Sequence, residues 1–229
     1  KWNNLHTAGA TGTGNSQYSG TVSLSTNSLT SGYELSDVVR TMPFKTYNLN
    51  HATSGTGTIF TDADNTWGDG TNYVEGSSTT APGGQNAGVD AHYGTQETFD
   101  YYKNVLGRNG INGTGSATYN RVHYSNSYDN AFWSDSCFCM TYGDGNTLTT
   151  LTSLDVAAHE MSHGVMASTA ALVYSGESGG LNESNSDING VMTEFYYRGA
   201  NGQGSVIPDT GGNWTQGEQI ATALSPQYR

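Results

Sequence analysis

His159 and His163 stand four residues apart with Glu160 between them, in the run His159-Glu160-Met161-Ser162-His163. On a helix this spacing turns both imidazoles to one face, where they can share a metal ion. Zinc lowers the pKa of a bound water to about 7, and a carboxylate beside that water can take its proton as the oxygen attacks a carbonyl carbon. The chemistry so encoded is peptide-bond hydrolysis with Glu160 as the base. A catalytic zinc site also needs a third protein ligand. Glu183 can supply it if the next helix runs back over the motif, and Asp187, one turn further on, can accept a hydrogen bond from a ligand histidine's second ring nitrogen. Without the motif upstream, both acids would read as ordinary carboxylates near a helix start.

The elements that must hold these groups can be read from periodicity. Ser153 or Asp155 can cap a helix from Val156 to about Thr169, with Met161, Val165 and Met166 among its apolar residues. Ser175 to Gly180 reads as a turn, after which Asn182 can cap a helix from Glu183 to about Arg198. Upstream, residues 1 to about 87 alternate short β-branched and polar runs with Gly, Asn and Ser, as strands and turns do. Residues 88 to 106 break that habit: Val89, His92, Tyr93, Phe99, Tyr102 and Val105 recur at helical spacing and predict a helix with one buried aromatic face. Ile111 to Tyr142 returns to extended segments, and Gly199 to Arg229 shows no amphipathic helix. The expected class is α+β, with a strand-rich lobe over 1–152 followed by metal-binding helices and a tail over 153–229.

Composition narrows the function. The chain has 229 residues, of which 12% are charged, and a formal charge of -12 with no basic run, which excludes a nucleic-acid partner. The acidic balance reads as a solvating surface, as calcium binding, or as both. No apolar run approaches the roughly 18 residues of a membrane span, so no membrane partner is expected. Gly-, Ser-, Thr-, Asn- and Tyr-rich composition is typical of secreted hydrolases, and Lys1-Trp2-Asn3-Asn4 does not begin a signal peptide, so a processed extracellular chain is expected. Cys137 and Cys139 are the only cysteines; two apart, they could close a small strained ring or remain free thiols.

The motif at 159–163, followed by Leu181-Asn182-Glu183-Ser184-Asn185-Ser186-Asp187, resembles the thermolysin family of secreted zinc endopeptidases. Val89-Asp90-Ala91-His92-Tyr93, Asp100 to Val105, Asn130-Ala131-Phe132-Trp133 and Tyr142-Gly143-Asp144-Gly145 resemble further segments in the family's order, and the resemblance covers roughly residues 55 to 229. It implies zinc at His159, His163 and Glu183, with Glu160 polarising the attacking water and Asp187 supporting a ligand. Tyr174 would donate to the oxyanion. Asn130 and Ala131 would hold an extended peptide substrate, Leu148, Leu151 and Val156 would line an apolar pocket for the residue after the scissile bond, and Arg229 would meet a substrate carbonyl. Calcium is implied at Asp155, Glu194, Glu218 and Asn213, with a possible second ion at Asp62, Asp64 and Thr66. The family continues into a helical C-terminal lobe that forms the other wall of the cleft. That lobe is expected to be absent from this chain and supplied by a separate C-terminal fragment, without which the chain would be nearly inactive. The competing reading is a silent zinc- and calcium-binding module, against which Glu160 argues because a structural site has no use for a base.

Overall fold

The computed structural model describes residues 8–200 and 214–221. Eight strands come first: β1 (Ala8–Asn15), β2 (Thr21–Ser28), β3 (Tyr33–Glu34), β4 (Ser36–Asp37), β5 (Phe44–Asn48), β6 (Thr58–Ile59), β7 (Thr61–Asp62) and β8 (Thr66–Trp67). Helix α1 (Pro82–Asn104) leads to β9 (Thr118–Val122), β10 (Ala131–Ser134) and β11 (Cys139–Tyr142), and then to α2 (Leu154–Ala167) and α3 (Gly176–Ala200). The strands form a five-stranded sheet, ordered β7-β3-β2-β1-β8, and a six-stranded sheet, ordered β10-β11-β9-β5-β4 with β6 on β5. The fold is α+β. No helix among the described residues is long and apolar enough to cross a membrane.

Strand β2 shows how the sequence makes the first sheet. Val22, Leu24 and Thr26 are buried while Thr21, Ser23 and Ser25 are more exposed, the period of a half-buried strand, which breaks only at the buried Asn27. Its partner β1 is glycine-rich and is held by continuous antiparallel pairing from Ala8↔Ser28 to Asn15↔Thr21. A side chain at Gly14 would meet Val89 of α1 at 2.7 Å, so the glycine lets the sheet lie close on the helix.

Helix α1 begins earlier than its apolar spacing predicts, at Pro82 rather than Gly88. Pro82 opens the helix, where its missing N–H costs nothing. Gly84 is required by a close approach, since a Cβ there would lie 2.2 Å from the Ser78 carbonyl oxygen. The helix is also buried on more than one face: it touches strands of both sheets and packs on α2, where a Cβ on Gly94 would lie 2.4 Å from that of Ala157. Its buried residues therefore include Asn86, Asp90, His92, Thr95, Gln96 and Thr98 beside the expected apolar ones. Each finds partners, as buried polar groups must. His92, fully buried, places Nδ1 2.9 Å from the Thr46 hydroxyl and Nε2 2.7 Å from the Ser25 carbonyl, tying the two sheets together. Burial pushes its pKa down to about 4, although the Ser25 carbonyl favours the charged ring. Asp90 accepts hydrogen bonds from the Ser16 hydroxyl and from the Gln17 N–H at 3.0 Å, and burial raises its pKa to about 7.

The two remaining helices differ from expectation mainly at their starts. Helix α2 runs Leu154–Ala167, close to the expected span. Helix α3 starts at Gly176 rather than Glu183, so the glycine-rich stretch read as a turn is helical. The first turn is closed by the Gly179 N–H on the Ser175 carbonyl and by the Ser178 hydroxyl on the Val173 and Ser175 carbonyls. Tertiary packing against α2 overrides the poor helix propensity of glycine there. Cys137 and Cys139 are joined in a disulfide at the tip of the β10–β11 hairpin.

Candidate active site

Helices α2 and α3 pack side by side, which lays the face of α2 carrying His159 and His163 against Glu183, Asn182, Ser186 and Asp187 of α3. The far side of α2 is anchored by tight contacts. Met161 is fully buried, Ser162 accepts a hydrogen bond from the Tyr102 hydroxyl at 2.8 Å, and Gly164 lets the Trp133 indole approach to 2.8 Å from where a Cβ would stand. The motif is therefore fixed by α1 and β10 as much as by its own helix.

His159 places Nδ1 2.8 Å from Asp187 Oδ1, and His163 places Nδ1 2.8 Å from Asn182 Oδ1 and 3.1 Å from the Ser186 hydroxyl. The Asn182 amide is oriented by its Nδ2, which donates to the Leu172 carbonyl at 3.4 Å. With both Nδ1–H groups donating, each neutral ring presents the lone pair of its Nε2. Those two Nε2 atoms stand 2.9 Å apart, and Glu183 adds Oε2 at 3.1 Å from His159 and Oε1 at 3.6 Å from His163. Two lone pairs and a carboxylate facing one point repel one another unless a cation lies between them. The donor set of two imidazoles and one carboxylate suits zinc, and leaves a coordination position for water. Geometry thus brings together His159, His163, Glu183 and Asp187; Asn182 and Ser186 join them, although the sequence offered Asn182 only as a helix cap.

Glu160, 7% exposed, lies beside His159 where two surface depressions meet. Burial raises its pKa to about 7, opposed by the charge of His159 and reinforced by those of Glu183 and Asp187. For His159 itself, burial works against the charged ring, but the Asp187 hydrogen bond and the charges of Glu160, Asp187 and Glu183 outweigh it and raise the pKa. His163 moves the other way, lowered by burial and by the neighbouring His159.

Two depressions meet at this point and share Asn130, Ala131, His159 and Glu160. One, of about 420 Å³, is lined by Leu148, Leu151, Val156 and Ile220, with Asp129 at its rim. The other, of about 540 Å³, is lined by Trp133, Asp135, Leu172 and Tyr174, with His163 and Glu183 on its floor. Both run beside β10, the edge strand of its sheet, whose backbone is open to pairing on one side. Tyr174 is exposed and its hydroxyl donates to Glu183 Oε1. The wall of the first depression is fastened by Thr149, whose N–H donates to the Ile220 carbonyl at 2.9 Å, and by Tyr18, whose hydroxyl donates to the Thr150 carbonyl at 2.5 Å. Tyr18 and Ile220 were not legible as site residues, because both reach it from distant parts of the chain.

The expected calcium residues fare differently. Asp155 and Glu194 are buried, and Asp155 accepts hydrogen bonds from the Ser153 hydroxyl at 2.6 Å and the Gly217 N–H at 2.5 Å. Burial raises the Asp155 pKa, with the charge of Glu218 adding to it. Among the described residues, however, Asp155, Glu194 and Glu218 do not form a closely converged ligand set as His159, His163 and Glu183 do. Asp62 and Asp64 hold their own turn: Asp62 Oδ1 accepts from the Asp64 and Asn65 N–H groups, and Asp64 Oδ1 accepts from the Thr66 N–H at 2.9 Å. Thr66 lies in β8, paired with Thr13. The possible second calcium residues thus share one tight turn, in which each aspartate also accepts from the turn's own backbone. Asn213 and Arg229 lie outside the described residues.

Comparison with known proteins places this geometry in context. The profile described as the thermolysin metallopeptidase catalytic domain matches residues 11–167, and that of the thermolysin metallopeptidase alpha-helical domain matches residues 170–227. The transglutaminase-activating metalloprotease of Streptomyces mobaraensis is 60% identical over 185 residues, covering 81% of this chain and 23% of that protein. Bacillolysin of Brevibacillus brevis is 43% identical over 195 residues, covering 85% and 34%. Among solved structures, the precursor of protealysin from Serratia proteamaculans superposes with a TM-score of 0.54 at 27% identity, covering 67% of this chain and 44% of that one. The chain thus spans 23% and 34% of the lengths of these two curated relatives. The match over residues 170–227 corrects the expectation that the helical lobe is absent: the lobe's sequence enters this chain, and a separate C-terminal fragment finds no support.

Two measurements test the site's construction. Asn182→Ala should weaken zinc binding by roughly 10- to 100-fold in a chelator-competition titration, because His163 loses the acceptor that fixes its ring; unchanged affinity would remove Asn182 from the site. Asp129 tests the pocket wall. Burial disfavours its carboxylate, but the N–H groups of Thr147, Asn146 and Leu148 and the Thr147 hydroxyl overcome this and lower its pKa to about 2. The stabilisation from this depressed pKa is present above the ordinary value of about 3.9 and is lost as pH falls through about 2. In urea unfolding, the deficit of Asp129→Ala relative to wild type should be largest above about pH 4 and shrink toward pH 2.

Proposed function

Since this chain belongs to the thermolysin family of zinc metallopeptidases, we propose that it is a neutral zinc endopeptidase that holds an extended peptide along β10 and cuts it beside Glu160. The observation that carries this reading is the convergence of two imidazole lone pairs and the Glu183 carboxylate at the junction of two depressions, with a buried acid alongside. His159, His163 and Glu183 would hold the ion. Zinc bound there supplies Lewis-acid polarisation and a water made acidic enough to react at neutral pH.

The chain's own residues account for the rest. A peptide adding to the open edge of β10 gains main-chain hydrogen bonds, and Asn130 and Ala131 lie where both depressions begin. The small Ala131 side chain leaves the backbone approachable. Leu148, Leu151 and Val156, with Ile220, offer a bulky apolar side chain a dry wall, which supports a preference for such residues after the scissile bond. Glu160 takes the proton released as water oxygen bonds to the carbonyl carbon, and returns it to the departing nitrogen as the C–N bond breaks. Tyr174, at the rim with its hydroxyl on the Glu183 carboxylate that would hold the ion, would donate to the oxyanion. Asp187 and Asn182 keep the two rings aimed.

The reading extends to calcium at Asp155, Glu194 and Glu218, with Asn213 as a further oxygen donor. Its support is electrostatic: Asp155 is buried and lies close enough to Glu218 for like charge to raise its pKa, a repulsion that a hard cation would relieve. Such an ion would pin the segment around Gly217, and with it the pocket wall at Ile220, to the start of α2. Action outside the cell accords with the disulfide at Cys137 and Cys139.

Glu160→Gln should lower kcat on a peptide with a leucine or phenylalanine anchor by roughly 10²- to 10⁴-fold while binding zinc at the wild-type ratio. Cleavage and zinc content are read on the same sample, and a variant that cuts at the wild-type rate would refute the assigned base. For calcium, the melting temperature should rise with free calcium as mass action requires, and Asp155→Asn should abolish the rise; a calcium-independent wild type would remove that part of the reading.

A further inference from the structure

The second depression carries a charge that the hydrolytic chemistry does not use. Asp135, in the turn between β10 and β11, lines it and is exposed. Its Oδ1 accepts a hydrogen bond from the Trp133 indole N–H at 2.6 Å. That indole is itself fixed, stacked edge-on against Phe138 with ring centroids 5.1 Å apart and pressed onto Gly164 of α2. The turn bearing Asp135 is closed by the Cys137–Cys139 disulfide. The carboxylate therefore stands in a set position relative to the helix that carries the metal ligands.

Among the described residues, no lysine or arginine lines either depression. Arg121 comes near the same turn, but its guanidinium is spent on the Thr141 hydroxyl at 3.0 Å and the Gly55 carbonyl at 2.8 Å, with Cys137 Sγ at 3.8 Å. At the centre, Glu183 and ionised Glu160 would offset the two charges of a divalent ion, and Asp187, held on His159, adds a negative charge on the side of the first depression. Among the described residues, Asp135 is the carboxylate of the second depression that stands away from this centre and faces no cationic side chain. An unpaired carboxylate beside a peptide-binding strand attracts a cationic side chain and repels an anionic one.

We propose that Asp135 sets specificity by favouring a lysine or arginine of the substrate on the side of the scissile bond opposite the apolar anchor. This rests on the endopeptidase reading, in which Leu148, Leu151 and Val156 take the residue after the bond, so the Trp133–Asp135 end receives residues before it.

The test uses peptides with a fixed leucine anchor and lysine, alanine or glutamate placed in turn at each of the four positions preceding it. Cleavage by the zinc-loaded wild type is scored by mass spectrometry, and binding of the same peptides to zinc-loaded Glu160→Gln by fluorescence anisotropy. At one position lysine should exceed glutamate by roughly fivefold at low salt, the size expected of a solvent-exposed ion pair, and the ratio should fall as salt is raised. Asp135→Asn keeps the acceptor for the Trp133 indole but removes the charge, and should bring the ratio toward one; Asp135→Lys should invert it. A lysine-to-glutamate ratio equal in wild type and Asp135→Asn, in cleavage and in binding, would overturn the inference. Loss of the leucine-anchor preference, or cleavage by Glu160→Gln, would instead count against the endopeptidase reading, so the two failures are separable.

Discussion

Two imidazole nitrogens held 2.9 Å apart with their lone pairs facing each other are an arrangement that a protein must be built to sustain. Each ring would turn away if free, and neither can, because Asp187 grips one by its Nδ1 and Asn182 and Ser186 grip the other. All three partners come from α3, so the packing of α2 on α3 is what makes the site. That packing depends in turn on α1, whose Gly94 admits Ala157 of α2 and whose Tyr102 reaches Ser162. A bound cation converts the facing lone pairs from repulsion into ligation, so affinity for the ion and cohesion of the three helices are one quantity seen from two sides.

The polar interior has a related logic. Helix α1 is surrounded by strands of both sheets and by two helices, and it does not meet them with apolar groups alone. Thr95 donates to Asn120 at 3.0 Å, Asn120 donates to Thr46 at 3.1 Å, and Thr46 lies against His92, a line of hydrogen bonds that crosses the core. Apolar packing would tolerate sliding of one layer over another, whereas directional bonds fix register. The site requires such fixity, since β10 and α2 must stand at a set distance for Ala131 and Glu160 to border the same two depressions.

Much of this was legible in the sequence because the chemistry sits on regular elements. The spacing of His159 and His163 needs only a helix, and Glu183 and Asp187 share a face for the same reason. The alternation in β2 and the apolar residues of α2 likewise announce their elements. What stayed hidden was tertiary. Gly176 to Gly180 reads as a turn by propensity but is wound into α3 by packing, which turned Asn182 from a cap into a partner of His163. Pro82 to Gly84 reads as a break and is the start of α1. The spacing of Asp62 and Asp64 offers ligand oxygens but does not announce that each carboxylate also closes its own turn. Cysteines two apart could not be assigned from spacing, and the hairpin tip provides the turn that joins them.

Strand β1 pairs in parallel with β8, and β5 in parallel with β9, with α1 enclosed between segments that precede and follow it. None of these pairings closes locally. The β5–β9 ladder joins Phe44 to Thr118, and the chain between them must already be in place for the pairing to hold. Topologies of this kind reach the folded state slowly, because the entropy of long loops is spent before their contacts are gained. Once formed, they open only by giving up many distant contacts together. For a chain whose own extended segments are held by such pairings, endurance then depends on the rarity of unfolding events as much as on the depth of the folded state.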